Sequence, residues 1–159
     1  MLRILSLLAL TALSIPAPAH DSAATGASQS TLPAAVRGAA ATVDGFHAAL
    51  RRGDTRSAAA LLADDALIFE EGGVEHSKVE YVARHLPADA AFSQAVATTV
   101  TRRTGGSNGA FAWVATEGRT TGAYRGRAVD RTTTETMILR RVGRAWKIVH
   151  IHWSSAPAR

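Results

Sequence analysis

The feature that most limits this chain's fold is the change of apolar period near Ala66. Before it, Val36, Ala40, Val43, Phe46 and Leu50 recur at threes and fours, the spacing of one helical face, and Gly53 suits the stop. Asp54 can cap a second helix striped by Ala58, Leu61 and Leu62. From Ala66 to Glu71 the alternation by two suits a strand closed by the Gly72-Gly73 turn. Ser77 and Glu80 form a capping box ahead of a short helix that ends before Pro87, and Tyr81 and His85 share one of its faces. Strands are then expected over Ala91–Arg102, Phe111–Gly118, Thr121–Arg125 running into Ala128–Arg141, and Ala145–Ser154, between turn signals such as "GGSNG", "RTTG", "YRGR" and "RVGR". Two helices, a strand, a helix and a run of antiparallel strands make an α+β domain with its helices on one side of the sheet.

The N-terminus sets the compartment. Arg3, the apolar run Ile4–Ile15 and the small residues Ala17-Pro18-Ala19 read as a secretory signal peptide over residues 1–19, so the mature chain is expected to be periplasmic or secreted. The run is shorter than the roughly 20 residues a membrane span needs, and without cysteine there is no lipid anchor, disulfide or thiolate metal site. Residues 20–35, Ser/Ala/Thr-rich, read as a flexible leader, and 36–155 as one domain. The formal charge of +5, which becomes +4 without Arg3, comes from scattered arginines, with no block of like charge and no basic stripe interleaved with aromatics. A nucleic-acid partner is not expected.

Two stretches carry a resemblance. "FHAALRRGDTRSAAALLADDALIFEEGG" near the N-terminus and "GRAWKIVHIHWSS" at the end resemble the SnoaL-like branch of the nuclear transport factor 2-like superfamily, over Val36 to Ser155. The resemblance implies a cystatin-like cone, a curved antiparallel sheet wrapped around N-terminal helices to leave a central cavity, often paired as a homodimer through the outer sheet face. Its members include isomerases, dehydratases, hydrolases, cyclases and domains that bind or assemble without turnover, so the fold does not name a reaction.

Strand alternation assigns side chains to faces. With Lys147 as an outward marker, Trp146, Ile148, His150, His152 and Ser154 are expected inside; Val149, Ile151 and Trp153 fall outside, as an apolar face covered by a partner subunit. Arg140 as marker places Glu135, Met137 and Leu139 inside, and a carboxylate there needs a partner. On the first strand Leu67 and Phe69 are expected inside on size, leaving open which of Glu70 and Glu71 faces the cavity. His47 and His76 read as helix-edge or surface residues.

The expected cavity lining is therefore Tyr81, His85, Glu135, His150, His152 and Ser154, with Glu135, His150 and Tyr81 the candidates for catalysis. The leading expectation is a small-molecule-binding domain without assigned catalysis and without a cofactor. One alternative is an acid/base enzyme of the isomerase, dehydratase or hydrolase kind acting on a small apolar substrate. Another is a zinc or copper protein: histidines two apart on a strand lie about 6.6 Å apart at Cα, and His150 and His152 with Glu135 or His85 make a suitable donor set.

Overall fold

The computed structural model describes residues 32–159; the signal peptide expected over 1–19, and the leader as far as residue 31, lie outside the described residues. A 3-10 turn, Ala34–Val36, leads into α1 (Arg37–Arg51) and α2 (Thr55–Leu61). There follow β1 (Leu62–Glu70), β2 (Gly73–Glu75), α3 (Lys78–Arg84), α4 (Leu86–Ala95), β3 (Val96–Ser107), β4 (Phe111–Tyr124), β5 (Arg127–Val142) and β6 (Ala145–Pro157). The sheet runs β2-β1-β6-β5-β4-β3, and its pairings are antiparallel except for β1 and β6, which lie parallel.

The expected caps are present. The Asp54 carboxylate accepts from the Ser57 amide at 3.0 Å, and the Ser77 hydroxyl accepts from the Glu80 amide at 3.2 Å while the Glu80 carboxylate accepts from the His76 amide. The apolar stripe of α1, from Ala39 to Leu50, is buried against a sheet face of Ile68, Val114, Met137, Leu139, Ile148 and Ile151. Burying one such aliphatic or aromatic side chain contributes about 1.5–3 kcal/mol, so this face fixes where the helices lie.

Two local expectations are corrected. Ala91–Ala95, expected to open a strand, closes α4 instead, because Pro87 both ends α3 and occupies the first turn of a new helix, where its missing N–H costs nothing. "RTTG" is no turn: β4 passes through it unbroken, and the chain reverses at Arg125-Gly126, whose φ values of 50° and 76° are those of a two-residue hairpin. In the same way Gly105 and Gly106 stay in β3, where a Cβ on Gly105 would come 2.7 Å from the Trp113 carbonyl oxygen.

The larger correction concerns β6. Leu139 pairs with Ile148 but Ile138 pairs with His150, so Val149 is an extra residue on β6, and the β1 pairing is irregular at the same place. A bulge of one residue turns every later side chain to the opposite face. The alternation from Lys147 therefore holds only up to Ile148, which is fully buried. Beyond Val149, Ile151 lies in the core and Trp153 packs against it, so neither belongs to an outer partner face, while His150 and His152 lie on the outer face, beside Phe69. The phase of β1 is likewise opposite to expectation: Ala66 and Ile68 are inside, and Leu67 and Phe69 pair outside with His150 and His152.

Candidate functional site

The sheet and helices enclose a cavity of about 510 Å³, closed at the core end and open toward the β4–β5 hairpin. Register explains its lining. One row across the inner face runs Arg103 on β3, Thr116 on β4, Glu135 on β5, Trp153 on β6 and Glu70 on β1, each the cross-strand partner of the next. All five line the cavity. The next row toward the core, Val114, Met137, Ile151 and Ile68, is fully buried and apolar. Toward the mouth the rows become hydroxyl-bearing, with Thr133 and Ser155, then Thr98, Thr120 and Arg131. The polar row thus lies where the packed core ends.

Helices complete the walls. Asp44 and His47 come from α1, and Asp89, Phe92 and Ser93 from α4. His47 Nε2 lies 2.7 Å from Glu135 Oε2, and the Trp153 indole N–H donates to the same oxygen at 2.7 Å. Burial pushes the Glu135 pKa up, yet the hydrogen bonds and charge of His47, the Trp153 bond and the Arg103 charge outweigh it, holding the carboxyl below its ordinary range. Glu135 is ionised inside the cavity. Its second oxygen, Oε1, and the neighbouring Thr116 hydroxyl are both buried with no hydrogen-bond partner among the described residues.

Glu70 behaves oppositely. It makes no hydrogen bond or ion pair among the described residues, and burial, then the charges of Asp89 and Glu71, raise its pKa from 4.5 to about 7. Asp89 is also raised, by burial, against the lowering effects of the Tyr81 hydroxyl and His85. That hydroxyl donates to Asp89 Oδ2 at 2.7 Å, and burial and the Asp89 charge raise the Tyr81 pKa far enough that the phenol keeps its proton. At the mouth, Phe92 and Tyr124 meet edge to face and Arg125 covers the Tyr124 ring.

The residues read from the sequence are therefore divided. Glu135 is in the cavity wall as its phase required, and Ser154 borders the rim. Tyr81 lies behind the wall, fully buried, and reaches the cavity through Asp89. His85 pairs with the buried Glu75 carboxylate, outside the cavity lining. The His150 Nδ1–H donates to the Leu67 carbonyl oxygen at 2.9 Å, and His152 lies beyond it on the outer face, their ring centroids 6.4 Å apart. The suggested metal set is not brought together, since Glu135 is on one face of the sheet, the two histidines on the other and His85 at Glu75. No group of three or more His, Asp or Glu fit to hold a metal ion occurs among the described residues.

Sequence reading placed His47 at a helix edge or on the surface and Trp153 on the outer face, and left open which of Glu70 and Glu71 faces the cavity; both line it. For Glu70 a signal existed: it shares the alternation of Ala66 and Ile68. For His47 it was the heptad-like spacing from Val43 and Leu50, which places it at the edge of the buried face.

Comparison with known proteins agrees with the fold. The chain resembles the crystal structure of a proposed ketosteroid isomerase from Shewanella frigidimarina NCIMB 400, with 32% identity over 78% of this chain and 100% of the other and a TM-score of 0.73. A proposed dehydratase of the NTF2-like family from Streptomyces avermitilis shares the fold at 19% identity, covering 78% of this chain and 97% of its own, with a TM-score of 0.66. So does a proposed calcium/calmodulin-dependent protein kinase II association domain from Xanthomonas campestris, at 22% identity over 82% and 96% of the two chains and a TM-score of 0.67. Among curated proteins none matches. The SnoaL-like domain profile covers residues 39–159, which takes in α1 from its third residue, the whole sheet and every residue of the polar row, and the chain belongs to the SnoaL-like domain family.

Proposed function

We propose that this protein binds a small, largely apolar molecule in the cavity and moves a proton on it, as an isomerase or dehydratase does, with Glu70 as the group that takes and returns the proton. The observation that carries this reading is the placement of Glu70: a carboxylate facing the cavity beside Trp153, with no partner of its own and a second carboxyl, Asp89, nearby. A general base works best with a pKa near the operating pH, and burial brings Glu70 there. The Trp153 ring supplies an apolar floor for a substrate body. The similarity to a proposed ketosteroid isomerase supports the isomerase form of the reading. This replaces binding without catalysis, and moves the chemistry from Glu135, His150 and Tyr81 to Glu70.

The test is turnover of β,γ-unsaturated ketones, with and without a distal hydroxyl, followed by absorbance of the conjugated product. In D₂O, deuterium should enter the product, and kcat/KM should rise with pH through about 7 as Glu70 ionises. A rate independent of pH between 5 and 9 would remove Glu70 from the reaction.

The reading includes two further expectations. The N-terminal pattern of Arg3, Ile4–Ile15 and Ala17-Pro18-Ala19 supports export. The outer sheet face, where Trp113 and Ile138 pair across strands and are 43% and 36% exposed, supports a homodimer. Trp113→Glu should then convert a dimer to a monomer in size-exclusion chromatography with light scattering; an unchanged mass would exclude this face. Among the described residues no helix is long and apolar enough to cross a membrane.

A further inference from the structure

We infer that the cavity contains a subsite for a hydroxyl group, formed by Glu135 Oε1 and the Thr116 hydroxyl. The inference rests on the cavity being the ligand site, and it specifies the ligand's chemistry.

Thr116 and Glu135 are direct cross-strand partners on the inner face, and both line the cavity. Directly opposed residues in an antiparallel pair have Cβ atoms about 4.5–5.5 Å apart, close enough for one small group to touch both. Glu135 is 9% exposed, and Oε1 and Thr116 Oγ1 are buried without partners among the described residues. Buried polar atoms are nearly all paired in native proteins, and an orphaned one bears the full cost of its lost hydration. The other oxygen of Glu135 is already committed to His47 and Trp153, so the carboxylate cannot swing away to satisfy itself elsewhere.

The two orphans have different needs. An ionised carboxylate only accepts, whereas the threonine hydroxyl can also donate. A ligand hydroxyl satisfies both at once, giving its proton to Glu135 Oε1 and accepting one from Thr116. A ketone oxygen has no proton to give and leaves Glu135 Oε1 unpaired. The ligand is therefore an alcohol at this end, its apolar body over Trp153 and its other end toward Glu70, two strands away and about 10 Å distant at strand spacing. Glu135, held ionised, does not act as a proton donor to a ligand oxygen.

Matched alcohol and ketone pairs that do not react test this directly: 2-tetralol with 2-tetralone, borneol with camphor, and cyclohexanol with cyclohexanone, titrated calorimetrically into the full chain. At least one alcohol should bind ten-fold or more tightly than its ketone. In Glu135→Gln the amide oxygen takes the His47 and Trp153 bonds and the NH₂ group replaces Oε1, so the preference should reverse toward the ketone. Thr116→Val, nearly isosteric, should weaken the alcohol several-fold and leave the ketone little changed; it carries the test if Glu135→Gln loses its fold by circular dichroism. Equal binding within every pair, ketone preference in the wild type, or no binding of any member at millimolar concentration overturns the subsite. These ligands do not turn over, so the result is independent of the role of Glu70.

Discussion

Glu70→Gln is expected to lower kcat on a turned-over β,γ-unsaturated ketone by about 10²–10⁴-fold, the usual contribution of a positioned general base, and at the same time to make the protein more stable above pH 7. The two effects have one origin. The folded-state pKa of Glu70, about 7, is above its ordinary 4.5, so the native state favours the neutral acid. Its contribution to stability is fully present below about 4.5 and is lost as pH rises through 7. Glutamine does not ionise, so the variant escapes that loss. A unit of pKa corresponds to about 1.4 kcal/mol, and solvent reaching this partly buried carboxyl screens much of the shift, leaving about 1–2 kcal/mol at pH 8. Urea unfolding at pH 4.5 and pH 8 measures it: equal stabilities at the lower pH and a gain for the variant at the higher. A variant that is inactive but no more stable at pH 8 would mean that Glu70 is not desolvated as described. A variant that keeps its rate would end the catalytic reading. Such an exchange of stability for activity is expected where an active site holds a group in an unfavourable state.

The second large effect tests the bulge at Val149. Ile151→Ala should cost about 2–5 kcal/mol, the range for removing most of a buried aliphatic side chain, because Ile151 is fully buried between Met137 and Ile68. His152→Ala, one residue on and exposed, should change stability by about 0.5 kcal/mol or less. Denaturant midpoints of the two variants distinguish the faces. If continuous alternation from Lys147 were correct, the order would be reversed, with His152 the internal residue. A wild-type-like Ile151→Ala would restore the outer face first expected of it.

These two cases also show where sequence was sufficient. Glu135 was placed inside because β5 runs without interruption from Arg140, so one outward marker fixed the phase along its length. On β6 an extra residue with no sequence mark of its own breaks the alternation: Val149 is an ordinary strand residue, and the bulge is visible only in how β5 and β1 pair around it. On β1, size favoured Leu67 and Phe69 inside, but the outer face accepts them: Phe69 meets the His150 and His152 rings edge to face, and Leu67 pairs across the strands with His150. That left the inner positions to Ala66, Ile68 and Glu70, and it was this phase that brought Glu70 into the cavity.

The chain's own pattern determined the α+β class, the two N-terminal helices, the caps at Asp54 and Ser77, and the presence of one carboxylate, Glu135, on the inner face. Those depend on local periods, caps and turns, which neighbouring residues carry in full. Tertiary structure decided that Trp153 joins Glu135 while His150 and His152 face outward, that His47 on α1 holds the carboxylate, and that Glu70 completes the row. Each depends on register between strands far apart in sequence, or on the approach of a helix to the sheet, and a shift of one residue changes the answer without changing the local pattern.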